Sequence, residues 1–242
     1  MPELPEVETI RRQLAKQIIG KKIKGRIITG VRRRAKILIL DFNDGTSFIF
    51  HLKLTGQLIF GGKPSSHTRK IFNFDDGSRL IFNDARKFGW WKKVRDTKKI
   101  EKAFGPEALE INFKTFQSLL AKRPNAKIKS LLMDQKFIAG IGNIYSDEIL
   151  FASRINPLRC AKTLSKGDAR KIFQNIQKIL KAAIRQGGSS VKDYLDVYGQ
   201  KGNYAKYHKI YQKQKCLVCG GKIKRIKIGG RSAHFCPKCQ IL

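Results

Sequence analysis

The chain has 242 residues, enough for two domains and a small third, and its 51 Lys and Arg against 18 Asp and Glu give a formal charge of +33. Positive charge spread from Lys21 to Lys238 self-repels unless a polyanion offsets it, which puts nucleic acid first among partners. No stretch is long and apolar enough to span a bilayer and no apolar signal segment follows the N-terminus, so a soluble, intracellular protein is expected.

The opening PELPEVETIRR reads as a helix start. Pro costs no hydrogen bond in a first turn, acidic residues there suit the helix dipole, and Leu4, Val7, Ile10, Leu14 and Ile18 recur at helical spacing. The period then shortens. Segments 22–31, 35–42, 46–52, 57–60, 69–74, 79–83 and 88–94 are short and rich in Ile, Phe and Val, with turn signals at Asn43-Asp44-Gly45, Gly61-Gly62 and Asp75-Asp76-Gly77. Such spacing predicts a β-sandwich, which Phe104-Gly105-Pro106-Glu107 ends as a linker. Helices are predicted over 113–122, 127–134, 144–152 and 165–186, the last with Ser165 as N-cap and Gly187-Gly188 as its stop. Residues 196–213 lack a period and read as a mobile loop.

The last stretch carries Cys216-x2-Cys219 and Cys236-x2-Cys239, sixteen residues apart. Two knuckles at this spacing match four thiolates converging on one structural Zn2+, with no open position for catalysis; disulfides in a reducing cytosol are the weaker reading. Cys160 stands alone as an ordinary thiol. The domains expected are a catalytic sandwich over 1–108, a helical DNA-binding domain over 109–210 and a zinc finger over 211–242.

Three stretches can carry chemistry. Gly140-Ile-Gly142-Asn143 allows a tight turn before a helix whose N-terminus suits phosphate, although a plain helix-turn-helix corner fits the same residues. Asp84-Ala-Arg86-Lys-Phe88-Gly-Trp90 joins cations to aromatics that could wedge into a base stack; the alternative is a hairpin with its aromatics in the core, favoured for Trp90. Leu54 reads as core, and His51 as a phosphate donor or a satisfied strand histidine. Finally, with Met1 removed, Pro2 would expose a secondary amine whose reference pKa lies near ~8, partly neutral and nucleophilic at pH 7. Glu3 and Glu6 lie close enough in sequence to move protons beside it, and Lys36 could hold a phosphate nearby.

In order along the chain, PELPEVETIRR, RRAKILIL, HLKLTGQL, DARKFG, GPEAL, LMDQKFIAGIGNIYSDEILF and the four-cysteine ribbon closely resemble bacterial formamidopyrimidine-DNA glycosylase, a DNA glycosylase and AP lyase. The resemblance implies an α+β multidomain fold with a β-sandwich, a helix–two-turn–helix domain and a zinc-finger hairpin. It implies Pro2 as Schiff-base nucleophile, Glu3 as proton donor, Glu6 as second essential carboxylate and Lys36 as a phosphate contact that assists catalysis. His51, Gly142, Asn143 and Arg231 fall at DNA-binding positions, and Leu54, Arg86 and Phe88 where the family fills the void left by a flipped nucleotide. Oxidised purines in double-stranded DNA would be excised and the strand cut by β,δ-elimination, by a bacterial, nucleoid-associated cytoplasmic monomer. Flipping is required because the reacting sugar carbon is inaccessible in the stack.

The chain departs from the family at Leu54, where Met is usual, in a shorter stretch before Lys36, in the run 211–215 before Cys216, and in the lesion-covering loop near 197–208. Two other readings fit: an endonuclease VIII-like enzyme for oxidised pyrimidines, whose typical Pro-Glu-Gly-Pro-Glu opening disagrees with Leu4, and a non-catalytic zinc-dependent DNA-binding protein.

Overall fold

The computed structural model describes residues 1–241. They form two compact units, one of residues 1–103 and 183–206, the other of 104–182 and 207–241.

The first unit begins with α1 (Leu4–Ile18), followed by β1 (Lys22–Ile23), β2 (Arg26–Arg34), β3 (Ile37–Phe42), β4 (Ser47–His51), β5 (Gly56–Phe60), β6 (Thr68–Asn73), β7 (Arg79–Asp84), β8 (Trp90–Val94) and a single turn α2 (Lys98–Glu101). The strands make a five-stranded sheet, β1-β2-β3-β4-β8, and a three-stranded sheet, β5-β7-β6. Alternation along each strand decides the faces. Leu38, Leu40, Phe48 and Phe50 from one sheet and Leu58, Phe72, Leu80 and Phe82 from the other share one core with Val7, Ile10, Leu14 and Ile18 of α1. Phe72 bridges the sheets, its ring centroid 5.4 Å from both Phe48 and Phe50. Each such ring removed from water contributes roughly 1.5–3 kcal/mol. The predicted strand over 22–31 is two, because Lys24 and Gly25 both take positive φ and fold β1 back on β2. Trp90 is corrected as well: it is half-buried beside His51, and its neighbour Trp91 is the ring that packs on the core.

The second unit carries α3 (Phe113–Ala121), α4 (Ile128–Met133), α5 (Asn143–Ala152), most of α6 (Lys166–Arg185), and the hairpin β9 (Lys224–Ile228) and β10 (Arg231–Phe235). Ser165 and Asp168 cap α6 reciprocally: the Asp168 amide donates to Ser165 Oγ and the Ser165 amide to the Asp168 carboxylate. The stretch expected to be a linker is instead docked. Gly105 donates to the Gln135 carbonyl, and a Cβ on it would stand 2.4 Å from the Lys136 oxygen, so only glycine fits. Among the described residues no helix is long and apolar enough to cross a membrane.

The region expected to be a loose loop is held by side chains. In the first unit Gln13 donates to Asp196 and accepts from the Val197 amide, while Asp196 accepts the amides of Tyr198 and Gln200. In the second, Glu148 accepts the amides of Lys209, Ile210 and Tyr211.

Candidate active site and nucleic-acid interface

In the first unit PELPE is fixed by one carboxylate. Pro2 is buried, and Glu3 and Glu6 are each 2% exposed. Glu6 Oε2 accepts the Glu3 amide at 2.7 Å, and Oε1 accepts the Ser189 amide at 2.7 Å. The first contact is half of a capping box, so the helix start and the site geometry are the same structure. The second ties the N-terminus to the turn after α6. Gly188, at φ +83, makes room for that carboxylate: a Cβ there would lie 3.0 Å from Glu6 Cγ and Oε1. Tyr194 closes the turn, its hydroxyl donating to the Gly187 carbonyl at 3.1 Å. Burial, reinforced by the charges of Glu6 and Asp196, raises the Tyr194 pKa, so the phenol stays protonated.

Lys36, 6% exposed, occupies the two-residue turn between β2 and β3, where Ala35 takes positive φ and its carbonyl accepts Arg33 Nη1 at 2.9 Å. His51 ends β4. Burial, then the charges of Lys53 and Lys36, push its imidazole down to about 4. Its Nδ1 accepts the Lys53 amide at 3.0 Å, so the neutral ring carries its proton on Nε2. That leaves Nε2–H as a donor on a ring that is uncharged at pH 7.

The next turn positions Leu54, which is half-buried, at the tip of 52–56. Gly56 is obligatory there, since a Cβ would stand 2.4 Å from the Leu52 oxygen. Asp84, 1% exposed, then organises 84–89: it accepts the Thr55 hydroxyl and, at 2.6 Å, the Gly89 amide, while Thr55 Oγ1 accepts the Arg86 amide. The loop lifts Arg86 and Phe88 into solvent. Phe88 is 54% exposed and the Arg86 guanidinium lies 5.1 Å from its ring centre. An exposed aromatic under a cation is costly as packing and suited to a nucleobase.

In the second unit Gly142 is the N-cap of α5 and Asn143 its first residue. Asn143 Oδ1 is buried with no hydrogen-bond partner among the described residues, at a cost of about 1–3 kcal/mol that stability alone does not explain. Below it, fully buried Lys129 donates to the Asn143 carbonyl, to Ser146 Oγ and to Asp147 Oδ1. Asp147 Oδ2 accepts the His234 amide at 3.1 Å and faces His234 Nδ1 at 2.9 Å. One buried chain of charge therefore joins α4, α5 and β10. Arg231 is exposed at the start of β10, just past the Gly229-Gly230 tip.

The cysteines fit zinc. The four sulfurs lie within 4.8 Å of one another, with Cys216–Cys239 at 3.8 Å and Cys219–Cys236 at 3.5 Å. A tetrahedron with Zn–S bonds near 2.3 Å has edges of about 3.8 Å, so Cys216, Cys219, Cys236 and Cys239 could hold the ion, which would supply a fold staple and no open coordination position. The ribbon is also bolted to the helices by buried Gln240, which donates to the Ile155 carbonyl while its own carbonyl accepts Asn156 Nδ2.

Profiles for the formamidopyrimidine-DNA glycosylase N-terminal domain match residues 1–26 and 21–91, its H2TH domain 104–194, and the zinc finger found in FPG and IleRS 213–241. A formamidopyrimidine-DNA glycosylase of Solibacter usitatus is 38% identical, with 99% of each chain covered, and one of Streptococcus pneumoniae is 37% identical with the same coverage. The chain belongs to the formamidopyrimidine-DNA glycosylase family. Among solved structures of such glycosylases, the MutM (Fpg) protein of Thermus thermophilus superposes with TM-score 0.90 at 34% identity, covering 99% of this chain and 98% of that one. A Lactococcus lactis Fpg variant in complex with Fapy-dG containing DNA gives 0.91 at 34% identity, with 99% of each covered. The α+β architecture with sandwich, H2TH helices and four-cysteine finger agrees with that expected from sequence.

The predicted residues therefore fall in two groups, Pro2, Glu3, Glu6, Lys36, His51, Leu54, Arg86 and Phe88 in the first unit and Gly142, Asn143, Arg231 and the cysteines in the second. Ser189, Asp84, Lys129, Asp147 and His234 were missed as supporting residues. Asp84 lay inside a quoted motif, and Ser189 followed a Gly-Gly pair that reads as a helix stop.

Proposed function

We propose that this base-excision DNA glycosylase removes oxidised purines, 8-oxoguanine and formamidopyrimidines, and then acts as an AP lyase through Pro2. The observation that carries the reading is the double clamp of Glu6, which holds the Glu3 amide and the Ser189 amide and thereby fixes a buried Pro2-Glu3 pair. In this reading Met1 is removed, since its peptide bond would make the Pro2 nitrogen an amide. The freed amine attacks the sugar C1′ as the bond to the base breaks with its electron pair, and the proton shed by the Pro2 nitrogen balances the one the departing base takes up. Glu3 supplies the proton that opens the sugar ring, leaving an iminium between Pro2 and C1′. Loss of a C2′ proton expels the 3′ phosphate, and a second elimination expels the 5′ phosphate.

Around that chemistry Lys36 and His51 hold phosphates in the first unit, and Gly142, Asn143 and Arg231 hold them in the second. Leu54, Arg86 and Phe88 fill the gap left by the flipped nucleotide; the exposed Arg86–Phe88 pair supports this. One Zn2+ on the four cysteines keeps the ribbon folded. The catalytic sandwich of 1–108, the helical DNA-binding domain of 109–210 and the finger of 211–242 divide this work, and the enzyme acts as a monomer on chromosomal DNA in the cytoplasm.

Borohydride trapping tests the reading. With protein verified to lack Met1 and duplex carrying 8-oxoguanine opposite cytosine, a covalent adduct mapping to Pro2 is expected. Release of thymine glycol in preference to 8-oxoguanine would move the substrate class to oxidised pyrimidines. No adduct with either lesion would overturn the covalent mechanism.

A further inference from the structure

From residue 197 to the end the chain has eleven Lys and Arg and no Asp or Glu. Arg231 at the hairpin tip accounts for one of these cations. Four others gather elsewhere. Residues 212–215 run back along the ribbon, with Lys215 paired to Lys222 and the Ile223 amide donating to the Gln214 carbonyl. The fold of this segment leaves a cavity of about 670 Å³ whose lining includes Lys213, Lys215, Lys222 and Arg225 around a floor of Ile223 and His234. The four cations are exposed and the floor is buried. Arg225 is oriented by a hydrogen bond from Nη2 to Ser232 Oγ at 2.9 Å, a neutral partner that leaves its charge uncompensated. Like charges facing one concavity repel, and no carboxylate among its lining residues offsets them. Such an arrangement is held at a cost unless an anion relieves it.

The register gives the distance to the tip. Arg231 pairs with Ile228 and His234 with Arg225, three residue pairs apart. That is about 10 Å along the ribbon, and one strand of duplex presents a phosphate about every 3.4 Å of axis. Phosphates roughly three base pairs from one held at Arg231 are therefore within the cavity's reach.

We propose that this cavity is a second phosphate-binding site, which takes the sugar–phosphate backbone of duplex DNA beyond the contacts at the hairpin tip. It rests on the DNA-binding part of the function proposed above. The site would lengthen the non-specific footprint and raise the salt dependence of binding without reading sequence.

The test measures binding of undamaged 24-base-pair duplex by fluorescence anisotropy across a salt series, with zinc content verified for every protein. The triple variant Lys213→Gln/Lys215→Gln/Lys222→Gln is compared with Lys171→Gln/Lys178→Gln/Lys181→Gln, which removes the same charge from the exposed face of α6. Each lost phosphate contact flattens the slope of log K against log salt by about 0.9, so the cavity triple should lose up to about 2.7 while the α6 triple loses less than one. Equal slopes in the two triples would reduce the effect to net charge and overturn the site. Stabilisation of the wild type by inorganic tripolyphosphate, lost in the cavity triple while its duplex slope is unchanged, would assign the cavity to free polyphosphate and overturn the duplex reading. A wild-type protein that does not bind duplex at all would instead refute the function on which the proposal rests.

Discussion

Glu6 does more than its place in a first helical turn suggests. Its two oxygens are both spent on backbone amides, one from residue 3 and one from Ser189, so it acts on Pro2 and Glu3 by holding the chain that bears them. Gly188→Ala tests this without touching any reacting group. The added Cβ would press on the Glu6 side chain and on Tyr194 while holding a conformation that costs an L-residue about 1–2 kcal/mol. Stability should fall by about 1–3 kcal/mol in urea unfolding, and borohydride trapping on 8-oxoguanine duplex should fall more than tenfold at temperatures where the variant is folded. Wild-type trapping would show that the clamp is not needed. The helix start was legible in the opening motif because its capping box is local. Its partner was not, because nothing in Gly187-Gly188-Ser189 announces a contact 183 residues away.

At the scale of elements, the exposed Arg86 and Phe88 depend on a turn built from below. Asp84 satisfies Thr55 and Gly89 with its two oxygens, and Thr55 in turn accepts the Arg86 amide. Asp84→Asn would place an amide NH2 against one of these donors. The expected outcome is a stability loss of about 1–3 kcal/mol. With it should come at least a tenfold slower release of 8-oxoguanine, and affinity for undamaged duplex within about threefold of wild type. Fluorescence of 2-aminopurine beside the lesion, which brightens on unstacking, reads the proposed wedge directly; unchanged unstacking would detach the turn from that role. Element boundaries were readable wherever periodicity was strong, as in α1 and α6. Sequence reasoning failed where backbone conformation overrode pattern: Lys24 and Gly25 break the strand predicted over 22–31, and Gly105 turns an apparent linker into a docked segment. Trp90 and Trp91 alternate across β8, so a one-residue error in phase exchanges core for surface.

For the whole molecule, the two histidines held down to about 4 set its response to acid. His51 lies in the first unit and His208, depressed by burial and by the charge of Lys213, in the second. An unfolded histidine titrates near 6.5. Between about 6.5 and 4 the unfolded chain therefore binds more protons than the folded one, and stability falls as pH falls through that window. Each histidine is worth at most about 3 kcal/mol, so the first unit should unfold more readily at pH 5 than at pH 7, with His51→Gln flattening that dependence; in the second unit Glu148, raised by burial, works against His208. The carboxylates held below their ordinary values, Glu8 and Asp41 among them, act at lower pH and are separable from it. Unfolding midpoints in urea at pH 5, 6 and 7 check this; a pH-independent midpoint for the first unit would contradict it. The multidomain architecture and the cysteine set were legible from motifs in order, whereas the buried Lys129–Asp147–His234 chain was not, since its members look like surface residues until α4, α5 and β10 meet.

The contact between Glu6 and Ser189 also orders events in time. A ribosome adds roughly 5–20 residues per second, so the 183 residues between these partners take roughly 10–40 s to appear. Throughout that interval the emerging chain displays PELPE without the turn that seats it. The proposed nucleophile is thus seated only as the last quarter of translation begins, and a nascent or truncated chain ending before residue 189 carries Pro2 without the Ser189 contact that holds Glu6.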